Sequence, residues 1–348
     1  QTRAMADSST SSVSFSLKRS MSDEPLGHRS PPQELAHAFD PEEVKSWDPD
    51  RFFFVKKLQD ATRNQGTVIL MRDLLEPRFV AVKVMPNHWV GSSHENFLRM
   101  HPWETELPWQ DVGTAKYLAS IGWKYSMELL GVFRDKHHTE VVSEYATHGD
   151  LFKWCSDVDL DLGPSREEAV WPMVVQVLQG MRELHEMSIS HRDISLENVL
   201  VTDEEGPVPK IIDFGMASTS RFVQTTTGKK AYQAPELHAD EPVDSFLADA
   251  FSMGVTIFAI YMKDYPWTNT LDCKCFLYAK ENGIRGLMSK RKVKNSSKRF
   301  IEVMSEPFVA LLEGLLCFNP SGRLTLGETA FHDGRPSVWE QVWVRYGP

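Results

Sequence analysis

From Arg51 onward, short apolar runs alternate with polar breaks: RFFFVKKL (51–58), TVILMRDL (67–74) and RFVAVKVM (78–85). Runs rich in β-branched and aromatic residues, bounded by polar loops, predict antiparallel strands. A helical stretch is expected over 111–121, followed by two more strands near 128–133 and 140–145. After His148-Gly149 the period lengthens. Over 167–187, Val170, Met173, Val174, Val177, Leu178, Met181 and Leu184 recur at three- and four-residue spacings, which predicts a helix with one apolar face. Residues 247–262 are apolar all round, as a helix inside a core would be. The pattern is α+β: a small antiparallel β lobe precedes a larger helical lobe.

The start of the chain has a different texture. Residues 1–46 are rich in Ser, Pro and charge and offer little apolar surface, which predicts a disordered tail. The expected lobes then run over 47–145 and 146–340. The 348-residue chain is 41% hydrophobic with a formal net charge of −10, which argues against nucleic acid as a partner. Cys155, Cys273, Cys275 and Cys317 are too few for a disulfide framework, so reduced thiols and a cytoplasmic setting are expected. The start is polar rather than signal-like, and no apolar run reaches the roughly 18 residues of a membrane span. The basic segment KRKVKNSSKR (290–299) is either a solvated insertion or a dock for an acidic partner.

The chemistry lies in a few polar residues. Lys83 ends a strand in VAVK, Asp193 and Asn198 sit five apart in HRDISLENVL (191–200), and Asp213 follows the strand KII. A lysine to hold phosphates, an aspartate and an amide to hold a metal, and a second aspartate for an attacking hydroxyl suit phosphoryl transfer.

These residues, in this order, resemble the eukaryotic protein kinases of serine/threonine type over residues 50–335. The resemblance implies a bilobal kinase fold, a protein substrate, ATP and Mg2+. It implies Asp193 as the catalytic base, Lys83 as the phosphate-holding lysine, and Asn198 and Asp213 as metal ligands. It further implies that Gly66, Val68, Ala81, Glu144, Tyr145, Asp150 and Leu200 line the nucleotide site. Ala234-Pro235-Glu236 matches the end of the activation segment, Asp249 the aspartate that steadies the catalytic loop, and Arg323 the partner of Glu236. Arg192 then faces the activation segment, with Thr225 the favoured phosphate acceptor.

Three features depart from the family pattern. The glycines of the phosphate-covering loop fall on Ala61, Arg63 and Gly66, so only one survives. The helical glutamate that pairs with the lysine falls on Thr114, which leaves Glu106 and Asp111 as alternative partners for Lys83. Ser195 stands where serine/threonine kinases carry a lysine, and Lys229 stands where they carry a threonine near the catalytic aspartate. A lysine has left one position and appeared at its usual neighbour, so Lys229 is expected to reach back to Asp193. The tyrosine-kinase arginine positions are Ser195 and Glu197, neither basic. A pseudokinase acting as a scaffold is the alternative reading.

Overall fold

A computed structural model describes residues 31–203, 206–331 and 334–340. The tail expected over 1–46 lies outside the described residues as far as residue 30. The rest of it corrects that expectation. Leu35–Ala38 and Pro41–Glu43 form short 3-10 turns, and Lys45–Ser46 is a strand, β1. Leu35, Ala36 and Phe39 are buried. Burying a leucine or phenylalanine contributes about 1.5–3 kcal/mol, enough to offset local ordering within an otherwise polar stretch.

The first lobe is a six-stranded sheet in the order β1-β5-β6-β4-β3-β2. Its further strands are β2 (Phe52–Ala61), β3 (Gly66–Asp73), β4 (Arg78–Pro86), β5 (Leu129–Arg134) and β6 (His138–Glu144). β1 pairs in parallel with β5, and the other ladders are antiparallel. Alternation sorts the two faces. Val80, Val82, Met71 and Val142 pack with Phe52 and Phe133 into one small core. Between β4 and β5 lie α1 (Asn87–Val90), α2 (His94–Met100) and α3 (Pro108–Ser120). α3 begins three residues earlier than the sequence pattern suggests, because Pro108 suits the first turn of a helix. The tail segment lies on α3: a Cβ added to Gly113 would stand 2.2 Å from the Leu35 carbonyl oxygen, so only glycine admits this approach.

The second lobe holds α4 (Leu151–Asp157), α5 (Pro164–Glu186), the hairpin β7 (Val199–Asp203) and β8 (Pro207–Ile211), and the short pair β9 (Phe222–Val223) and β10 (Val243–Asp244). Then come α6 (Ser245–Met262), α7 (Lys274–Lys290) and α8 (Glu306–Leu315). The expected apolar face of α5 is buried from Val170 to Leu184. α6 is the core helix that its composition predicts, and Asp244 caps it by accepting the Phe246 and Leu247 N–H groups. It is the one helix among the described residues long and apolar enough to cross a membrane, and it is wholly buried in the protein.

Candidate active site

The upper wall of the cleft is the sheet face opposite the small core. Val68 stands across from Lys83, and Ala81 across from Ser143, so these four side chains share one face. The strand run ends at Glu144 and Tyr145, where the Glu144 N–H donates to the Glu128 carbonyl at 3.0 Å. Gly66 begins β3, and its hydrogen faces the β4 backbone. A Cβ there would lie 2.1 Å from the Val84 carbonyl oxygen, so this glycine serves strand packing.

Lys83 finds its partner on α3. Its Nζ donates to Asp111 Oδ2 at 3.0 Å, while Asp111 Oδ1 accepts the Phe214 N–H at 2.9 Å. One carboxylate therefore ties the lysine to the Asp-Phe-Gly turn. Thr114, at the family's glutamate position, is buried and donates to the Gln110 carbonyl. Glu106 precedes the helix and faces Asn64 and Arg63 instead. Burial opposes the charge on Lys83, but Asp111, Asp213 and Glu106 outweigh it and raise its pKa above the ordinary lysine value. The Glu106 pKa is also raised, by burial first and then by Asp213, against the pull of Lys83 and Arg63.

The lower wall is the segment 191–200. Asp249 on α6 accepts the His191 N–H at 2.7 Å and the Arg192 N–H at 2.8 Å, which fixes the loop. His185 sits between Asp249 and Glu328, fully buried. Burial disfavours the imidazolium, yet the two carboxylates push its pKa up to about 9. Asn198 Nδ2 donates to the Asp193 carbonyl at 2.7 Å and to Asp193 Oδ2 at 3.2 Å, which leaves its own oxygen as an acceptor. Asp213 has φ 66° and ψ 66°, the left-handed conformation that aspartate tolerates better than most residues. Phe214 packs against the His191 ring at 5.2 Å between centroids. Asp150 caps α4 by accepting the Lys153 N–H at 2.7 Å and bridges through its backbone to Leu200.

Lys229 comes back to this wall. Its Nζ donates to Ser195 Oγ at 2.7 Å and lies 3.4 Å from Asp193 Oδ2 and 3.9 Å from Glu197 Oε2. Its backbone N–H donates to Asp193 Oδ1 at 2.9 Å. The local sequence explains the approach. Gly228 has φ 84°, and a Cβ on it would stand 2.9 Å from the Arg192 carbonyl oxygen. Gln233 Nε2 donates to the Thr227 and Gly228 carbonyls and braces the turn.

One contact is absent from the sequence pattern. The residues 62–64 of the phosphate-covering loop form a 3-10 turn, and Arg63 NH1 donates to Asp193 Oδ2 at 3.1 Å. Burial works against this guanidinium, but Asp193 and Glu106 outweigh it and raise its pKa. Asp193 Oδ2 thus meets Arg63, Asn198 and Lys229, and Oδ1 meets the Lys229 backbone. Gln110 was also missed. It accepts the Ala36 N–H and donates to the Ala217 carbonyl, each at 3.1 Å, so it joins the tail segment to the activation segment. The apolar spacing of Leu35 and Phe39 was the available signal.

The surrounding frame matches the sequence order. Arg192 NH2 donates to Thr225 Oγ1 at 2.5 Å, and Arg323 pairs with Glu236 through two hydrogen bonds of 2.5 and 2.9 Å. In the basic segment, Arg291 binds Asp264, Lys290 lies over Tyr278, and Arg299 donates to the Ser289 carbonyl. Much of that charge therefore serves the fold.

Comparison with known proteins agrees with this geometry. The protein kinase domain model matches residues 64–333. Serine/threonine-protein kinase SAPK5 of Oryza sativa subsp. japonica is 32% identical over 198 residues, 56% of this chain and 50% of that protein. Serine/threonine-protein kinase SRK2C of Arabidopsis thaliana is 31% identical over 199 residues, 56% of this chain and 54% of that protein. Serine/threonine-protein kinase SRK2I of Arabidopsis thaliana is 30% identical over 223 residues, 63% of this chain and 56% of that protein. The chain spans about half the length of the curated relatives it matches. With its two lobes, Lys83–Asp111 pair and catalytic loop held by Asp249, the chain belongs to the protein kinase domain family.

Proposed function

We propose that this chain is an active serine/threonine protein kinase that transfers the γ-phosphoryl group of Mg-ATP to hydroxyls of protein substrates. Asp193 orients the acceptor hydroxyl and takes its proton. Lys83, held by Asp111, contacts the α/β-phosphates. Val68, Ala81, Glu144, Tyr145, Asp150 and Leu200 surround the nucleoside end. Asn198 and Asp213 offer hard oxygen donors, the ligand type magnesium takes. The Asn198 oxygen is left available because its nitrogen is committed to Asp193. When bound, magnesium neutralises charge on the transferred group.

The observation that carries this reading is Lys229 Nζ, 2.7 Å from Ser195 Oγ and beside Asp193. It supplies a cation next to the position of the missing lysine, so Ser195 does not deprive the site of charge. Glu197, half-exposed next to it, suits a basic residue near the acceptor. A cytoplasmic setting and a dock at 290–299 belong to the same proposal. The four cysteines are free thiols, in keeping with a reducing compartment.

One observation favours a second reading, a nucleotide-binding scaffold. Arg63 adds to Asn198 and Lys229 on Asp193 Oδ2, so this oxygen is crowded where the acceptor hydroxyl would come in. A thermal-shift titration with Mg-ATP beside an autophosphorylation assay separates the two, with Asp213→Ala as control. Turnover lost in the control supports the kinase; a shift without turnover supports the scaffold.

A further inference from the structure

The turn from β5 to β6 gathers metal-ligating side chains outside the cleft. One ligand atom each from Asp135, His138 and Glu140 lies within 4.8 Å of the other two. Asp135 and His138 are on the surface, with Asp135 Oδ1 3.7 Å from His138 Nδ1. Glu140 is 4% exposed. It stands across from Val84, the neighbour of Lys83, and so lies on the sheet face turned away from the nucleotide site.

A second observation points to a ligand. Glu140 Oε2 is buried and has no hydrogen-bond partner. A buried, unsatisfied carboxylate oxygen is costly and calls for an explanation. Arg134, whose charge acts on Glu140, does not supply one. Arg134 donates its Nε to Thr139 Oγ1 at 2.9 Å and its NH2 to the Gly91 carbonyl at 2.8 Å. Glu140 is accordingly pushed up to about 7, by burial first and by Asp135 second.

The frame around the cluster is built. The Asp135 N–H donates to the His138 carbonyl at 3.0 Å, and Asn87 binds the His137 and Asp135 carbonyls from the start of α1. Asp135 Oδ1 accepts the His137 and His138 N–H groups at 2.6 Å each, leaving Oδ2 for another partner.

We propose that Asp135, His138 and Glu140 form a binding site for a divalent transition-metal ion of the zinc class, completed by water. One imidazole and two carboxylates suit Zn2+ or Co2+, whereas Mg2+ and Ca2+ take oxygen ligands. Ligands at about 2.0–2.1 Å from a tetrahedral ion stand about 3.3 Å apart, so the surface side chains of Asp135 and His138 close in on a fixed Glu140. Metal entry engages the unpartnered Glu140 oxygen.

The test is a titration of the chelator-stripped full chain with Zn2+ by calorimetry and with Co2+ by visible absorption. One saturable equivalent is expected, with affinity falling at least about tenfold in Glu140→Gln and in His138→Ala. It should be unchanged in Asp213→Asn. His138 is exposed, so its variant keeps the test valid if Glu140→Gln folds poorly. No saturable uptake, affinity unmoved by both hairpin variants, or uptake lost only in Asp213→Asn each overturn the site.

Discussion

In the lower wall of the cleft, Asp193 and Asn198 stand at the family's positions within a loop fixed by Asp249, and Asp213 stands at its own in the turn after β8. In the upper wall two parts are rebuilt. Arg63 and Asn64 fill a turn where glycines usually lie, and Asp111 does the work of a helical glutamate. Asp111 lies three residues before the family position, about 4.5 Å nearer the helix N-terminus. The difference teaches what each wall must supply. In the proposed reaction the lower wall would set the direction of oxygen donors toward a metal and a hydroxyl, which asks that its atoms be tied to backbone positions. The upper wall supplies positive charge, and charge can arrive from another residue if the stem is long enough. Lys229 applies the same rule at the border of the two: a cation has moved in sequence yet stays beside Asp193.

The comparison breaks most readily at the ion pair. Asp111→Asn should lower kcat/KM about 10²–10³-fold, because the amide keeps one acceptor oxygen for two donors and offers Lys83 no charge. Glu106→Gln should cost less than about tenfold. The reverse order in steady-state kinetics would make Glu106 the true partner. Next in size is Lys229→Ala, expected to reduce kcat roughly 10- to 100-fold, the worth of a charge-assisted hydrogen bond.

The lower wall has its own test in His185. Replacing it with Asn leaves Asp249 and Glu328 facing each other and should lower Tm by about 5–10 °C near neutral pH. Its folded pKa, about 9, lies above the unfolded value of about 6.5. The stability it contributes is therefore complete below about pH 6.5 and is lost as pH rises through about 9. Melting curves between about pH 6 and pH 10 should bring wild type and variant together at the alkaline end. A constant gap would mean that the imidazole is neutral. The smallest effect is expected at Arg63. Its side chain is 44% exposed, and Arg63→Gly should raise kcat roughly two- to five-fold by releasing Asp193. A fall would instead assign Arg63 to the phosphates.

Much of the lower wall was legible because its residues are close in sequence. Asp193, Asn198 and Asp213 need only a loop, a hairpin and a turn to meet, and the apolar run of α6 announced the buried helix behind them. The upper wall was less legible. Whether Glu106 or Asp111 meets Lys83 depends on where α3 begins, and with Pro108 at its first turn Asp111 lies on the helix and Glu106 before it. Arg63 reaches Asp193 across 130 positions, a contact that no local pattern encodes. The tail boundary was misplaced because composition averages hid Leu35 and Phe39 among polar neighbours. Lys229 is legible because Ser195 leaves the family's lysine position without charge and Lys229 stands at that position's usual neighbour.

That replacement is tested most directly by the steady-state kcat of Lys229→Thr, alone and combined with Ser195→Lys. The relocated charge predicts a fall of roughly 10- to 100-fold in the single variant and recovery to within about threefold of wild type in the double. A single variant that keeps near-wild-type kcat would contradict it.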